Sequence, residues 1–263
     1  MNSVVDISWT LLGFFFLALL VPFSISRYLK LQLEKDIIIS VVRMTVQLIL
    51  VGLYLEYLFT LNSFVVNLAW LMFMVLVGTS SVIGKASLPK ARLFLPVSAG
   101  LSLSLLPVLG SIILLIVQPQ PFYSAQYMIP LAGMLLGNSL SGNIVALQNL
   151  FTSFQERKSE YEAAIALGAS THYACLPFIR SAIQKSLAPT LASMSTMGLV
   201  TLPGMMTGQI LGGTSPIIAI KYQAMIMIAI FVMMSLSTTI SLTLAVRNCI
   251  NPYGKILVSL KSE

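Results

Sequence analysis

The sequence predicts an all-α polytopic membrane protein with about seven transmembrane helices, and three observations carry that expectation. Apolar residues make up 57% of the 263 residues and charged residues only 9%, where soluble domains carry roughly a quarter charged. Apolar runs recur that are long enough to cross a bilayer, which takes about 20 residues at a rise of 1.5 Å across roughly 30 Å of hydrocarbon. The basic residues collect at alternate ends of those runs, the pattern that orients membrane proteins.

The first run, about 9–29, follows MNSVVDIS. That stretch has no positive n-region, the run exceeds a signal h-region and no small-residue cleavage site follows, so a retained span is expected. Runs at about 37–60, 64–83 and 93–117 are plain spans. Those at about 125–151 and 187–212 are richer in Gly, Ser, Thr and Asn, and the last, 217–247, is long enough to tilt. Thirteen of the fifteen basic residues fall on one side: Arg27, Lys30 and Lys35; Lys85, Lys90 and Arg92; Arg157, Lys158, Arg180 and Lys185; Arg247, Lys255 and Lys261. Only Arg43 and Lys221 lie within runs. The positive-inside rule then places the N-terminus outside and the C-terminus in the cytoplasm of a multi-pass protein of the cell membrane. The net charge of +7 forms no single stripe, which excludes nucleic-acid binding. Cys175 and Cys249 fall on the expected cytoplasmic side without metal-ligand spacing and read as small packing residues.

Residues 1–263 are expected to form a single transmembrane domain whose one sizeable extramembrane stretch is about 152–186. Ser153 followed by Glu156 has the form of a capping box, the Glu- and Ala-rich run to Leu167 favours helix, and Gly168 fits its end. A turn and a second helix leading into the sixth run are expected next. The apolar side of the first helix suits either the headgroup layer or a groove on another protein.

Inside the bundle, Arg43 shares a helix face with Asp36 and Gln47. It is either anchored by Asp36 or headgroups or part of a polar face lining a pathway, because an intramembrane Arg costs about 3 kcal/mol or more without a partner. Gly133 and Gly137 form a GxxxG step suited to close helix packing. Asn138 and Ser139 are packing glue or pathway residues. Gly204, Gly208 and Gly212 repeat that spacing, with Gly198 upstream and Pro203 at mid-run. Pro203-Gly204 is therefore expected to break or hinge the sixth span. Met194, Met197, Met205 and Met206 surround it, as packing or as a soft lining of a path. No span carries a carboxylate or His set for a hard metal, so metal ligands stay unassigned. The chain has one histidine, His172, and no nucleophile–base arrangement, and GNSLSGN at 137–143 misses the GxSxG pattern. It also lacks GxxxxGK[ST], so ATP, if used, is hydrolysed elsewhere.

EKDIIISVVRMTVQLILVG (34–52), IPLAGMLLGNSL (129–140), EAAIALGAS (162–170), GLVTLPGMMTGQILGG (198–213) and AIKYQ (219–223) resemble the FetB-type permease family of ABC transporters. That family includes bacterial permeases assigned to iron export and plant permeases linked to aluminium tolerance. The resemblance runs in order over roughly 34–245. Glu162-Ala163-Ala164 with Gly168 is also similar to the EAA loop, the coupling helix of ABC permeases. The resemblance implies a permease subunit that pairs, as a homodimer, with a cytoplasmic ATP-binding subunit holding ATP-Mg, and no cofactor on this chain. It implies coupling through Glu156, Glu162, Ala163, Ala164 and Gly168. The expected pathway or hinge set is Arg43, Gln47, Asn138, Pro203, Gly204, Met205 and Met206. The competing expectation is an ATP-independent channel or secondary carrier.

Overall fold

The computed structural model describes residues 7–251 and 254–258. These residues are largely helical: α1 (Trp9–Phe15), α2 (Leu20–Tyr28), α3 (Glu34–Leu61), α4 (Phe64–Lys85), α5 (Lys90–Ser111), α6 (Ala125–Glu156), α7 (Lys158–Ala166), α8 (Thr171–Thr196), α9 (Gly204–Leu211) and α10 (Pro216–Cys249). A 3-10 turn, Phe16–Leu19, joins α1 to α2, and a wider π turn, Ile112–Val117, extends α5. Six segments are long and apolar enough to cross a membrane: Trp9–Tyr28, Glu34–Leu61, Phe64–Lys85, Lys90–Val117, Ala125–Glu156 and Pro216–Cys249. They match six of the seven expected runs within a few residues.

The sixth expected run, 187–212, is not one helix. α8 ends at Thr196, Met197 is extended, Gly198 takes φ +86°, and α9 starts only at Gly204 with Pro203 as its N-cap. Gly198 supplies the left-handed turn that other residues resist. Pro203 has no N–H to continue a helix. A short bridge between Met197 and Thr201 and the bond from Gly198 N to Thr201 O (2.9 Å) satisfy part of the interrupted backbone. Neither α8 nor α9 is among the six segments long and apolar enough to cross a membrane.

The capping-box expectation at Ser153 is also corrected. α6 runs through it to Glu156, and Ser153 is buried within that helix. Phe151 and Phe154 bury with it, so apolar packing carries the helix past the local start signal. The chain bends only at Arg157, whose φ of −112° lies outside helical geometry.

The core lies among α4, α5, α6, α8 and α10, with α10 packed on α5, α6, α8 and α9. Lipid offers no hydrophobic drive to join helices, so small and polar contacts specify this packing. A Cβ on Gly100 would stand 2.1 Å from Ser241 Oγ and 2.9 Å from the carbonyl oxygen of Ser237, so α5 and α10 meet nearly backbone to backbone there. Asn143 Nδ2 on α6 donates to Ser237 Oγ at 2.9 Å, buried on both sides. Gln148 Nε2 donates to the Lys85 carbonyl (3.0 Å), tying α6 to α4 at the end rich in basic residues. At the opposite end Asn67 Nδ2 donates to the Tyr123 carbonyl (2.7 Å), and Ala125 N donates to Asn62 Oδ1 (3.0 Å). α1–α3 stand apart. α3 meets the bundle near its end, where Tyr54 packs on Trp70 (4.5 Å between ring centroids) and Leu58 buries against Ala125 and Ile129.

Candidate functional site

The most developed surface feature lies at the basic end, on and around α7. Its length follows from its two boundaries, the bend at Arg157 and a stop at Gly168, whose φ is +89°. Gly168 N bonds to Ile165 O and Ala169 N to Ala164 O, both 3.0 Å, closing the last turn in a Schellman motif. Tyr161 is buried among Phe154 and Phe178, with ring centroids 5.7 and 6.3 Å away. Burial pushes its phenol up to about 12, with a smaller contribution from Cys175. Arg157 lies 5.0 Å over the Phe178 ring in a cation–π arrangement. Its Nε also donates to Glu160 Oε2 at 2.7 Å. That bond holds the exposed Glu160 carboxyl below its usual range.

With its inner face fastened, α7 presents the other outward. Glu162, Ala163 and Gly168 are exposed, and Glu162 lies 3.5 Å from Lys158 in a solvent-facing pair. Ala164 is half-buried against the core, and Glu156 is exposed at the end of α6. Leu167, part of the apolar side expected of this helix, is 89% exposed, and Tyr173, which the sequence reading did not single out, is 71% exposed. Among the described residues nothing covers these two large apolar side chains. The signal was present: Gly168 fixes Leu167 as the C-cap, where no further helical turn shields it.

The intramembrane residues are spread out. Arg43 and Gln47 are exposed on α3. Arg43 precedes Tyr54 by three turns and so shares its face, but α3 no longer touches the bundle at that level. A helical side chain leans toward the N-terminus of its helix, which points Arg43 to the basic end. Asn138 is exposed on α6 and donates to its own helix at the Met134 carbonyl (2.8 Å). Pro203 and Gly204 open α9, Met205 packs against the core and Met206 is half-buried. No hydrogen bond or ion pair among the described residues links these groups to one another. The described residues also hold no cluster of three or more His, Cys, Asp or Glu. The C-terminal half of α8 exposes Gln184, Ala188, Ala192, Ser193, Ser195 and Thr196, mostly small and polar residues, together with Leu191.

Together these features define a multi-pass, all-helical membrane protein that carries a capped, partly apolar helix outside its bundle at one end. The chain belongs to the UPF0014 family, described as an uncharacterised protein family, whose model matches residues 9–250. It is 31% identical to the UPF0014 membrane protein slr1647 of Synechocystis, over 98% of this chain and 99% of that one. It is 34% identical to the Escherichia coli protein named "Probable iron export permease protein FetB", over 91% of each. It is 35% identical to ALUMINUM SENSITIVE 3 of Arabidopsis thaliana, over 75% of this chain and 71% of that one. No solved structure matches it.

Proposed function

We propose that this chain is the membrane-spanning permease subunit of an ABC transporter that exports a metal ion, iron, using ATP hydrolysed on a separate subunit. The carrying observation is α7, a helix locked to its own bundle on one face while Ala163 and the C-cap Leu167 stay open, with Tyr173 of α8 exposed as well. That geometry suits insertion into a groove of a soluble partner. The basic end is then cytoplasmic, consistent with the charge asymmetry, and the N-terminus lies outside. The name of the E. coli relative supports the cargo and direction. Two copies form the pathway in this reading, with the polar face of α8 turned to the shared interior instead of lipid. The break at Met197–Pro203 hinges the α8–α9 segment, with Met205 and Met206 beside it. Arg43, Gln47 and Asn138 belong to the same pathway.

The test is purification of the full chain from mild detergent, followed by identification of any bound ATP-binding subunit and measurement of its turnover. A stoichiometric ATPase, lost on Leu167→Asp while the variant chain stays monodisperse, is the expected result. A homo-oligomer that conducts or carries without any ATPase would replace this reading with a channel or secondary carrier.

A further inference from the structure

We propose that residues 254–258, after α10, form half of the docking surface for the ATP-binding subunit. They set the pose of α7 and line with it a groove that receives an acidic side chain carried on an apolar segment. This rests on the reading of α7 as the docking helix.

After Cys249 the chain doubles back. Asn251 N donates to Lys255 O (3.0 Å), Lys255 N to Asn251 Oδ1 (2.7 Å) and Leu257 N to Cys249 O (2.8 Å), and Ile250 bridges to Ile256. Gly254 makes the turn at φ +79°. The returning limb lies against α7. Tyr161 Oη donates to the Gly254 carbonyl at 2.9 Å in a buried bond, and a Cβ on Gly254 would stand 3.3 Å from Ile165 Cγ2. Val258 is buried in the same core as Phe154 and Phe178. The last span is thereby fastened to α7 by chain that the sequence reading left as an unassigned tail.

Between the limb and α7 lies a groove of about 460 Å³, with Ile165, Ala166 and Ile256 among its apolar lining and Lys158, Glu162 and Lys255 among its charged residues. Lys158 and Glu162 satisfy each other. Lys255 is exposed and has no ion pair among the described residues. An apolar lining beside a cation with no ion pair among the described residues fits an apolar segment bearing a carboxylate. The concave shape favours an inserted side chain over a flat layer of headgroups.

The test uses the full chain in lipid-free detergent and the ATP-binding subunit retained by the wild type, purified and identified by mass. Lys255→Glu is expected to weaken binding about tenfold and to reduce its salt sensitivity. Gly254→Val is expected to weaken it comparably by lifting the limb from α7. Suppose Leu167→Asp abolishes binding while both tail variants stay within about twofold of wild type. Then α7 docks alone and the tail proposal is overturned. Should Leu167→Asp also leave binding intact, the docking reading itself fails. If the Lys255→Glu defect emerges only in nanodiscs containing anionic phospholipid, Lys255 contacts headgroups, which also overturns the proposal.

Discussion

α3 and α6 are both long candidate spans, yet the structure treats them oppositely. None of the apolar window of α3 is buried, whereas half of that of α6 is. α6 is the less apolar of the two, with Asn138, Ser139, Ser141 and Asn143 along its middle. In lipid this inversion is expected. Leu and Ile gain little by leaving the acyl chains, whereas buried amides, hydroxyls and glycines gain partners and close contact. Hydropathy therefore marks which helices enter the membrane, and small and polar residues mark which of them pack together.

The sharpest test of that contrast sets Gly100→Val against Gly52→Val. At Gly100 the new side chain meets Ser241 and the backbone of α10, while at Gly52 nothing lies within 4 Å. Gly100→Val should cost about 3 kcal/mol or more and abolish a monodisperse chain in detergent. Gly52→Val should stay within about 0.5 kcal/mol of wild type in a thermal melt. A similar loss from both would show that α3 is as tightly packed as α5.

Arg43→Leu probes α3 from another direction. It removes an unpartnered cation worth about 3 kcal/mol of insertion cost, so accumulation in the membrane should match or exceed wild type. Reconstituted transport should fall at least about tenfold if the polar stripe of α3 serves the pathway. Unchanged transport would assign Arg43 to anchoring alone. Asn143→Ala, which strips the bond to Ser237, should cost about 1 kcal/mol in the same melt. The smallest effect belongs to Cys175. It is buried, and burial pushes its thiol up to about 11. It should resist maleimide at neutral pH until the chain is denatured, and fast labelling would mean that the α7–α8 junction opens in solution.

Most spans were legible in the sequence because length and apolarity are local properties. The position of Gly168 was legible as well, since a left-handed stop needs little tertiary context. Two features were not. The sixth span was expected to break or hinge at Pro203-Gly204, but the helix already ends at Thr196, because Gly198 and the extended Met197 act before the proline. Ser153 and Glu156 imitated a helix start that Phe151 and Phe154 overrode through burial. The site was half legible. Glu162, Ala163 and Gly168 are exposed at the end rich in basic residues. The exposure of Leu167 and Tyr173 depends on how α7 and α8 seat, and the grip of Tyr161 on Gly254 spans 93 residues. A pattern confined to one segment does not record such a contact.

The order of packing along the chain bears on how the protein is made. Trp9–Leu61 buries almost nothing, so this hairpin can settle in the bilayer as soon as it leaves the ribosome. α6 and α8 carry the amides and hydroxyls that lipid rejects, and Ser237, Ser241 and Met234, which face them or α5, all lie on α10. The bundle therefore reaches its final form only after α10 has been synthesised. Until then its polar helices need shelter, from the insertion machinery or a membrane chaperone, for the time that about 50–100 residues take at 5–20 residues per second.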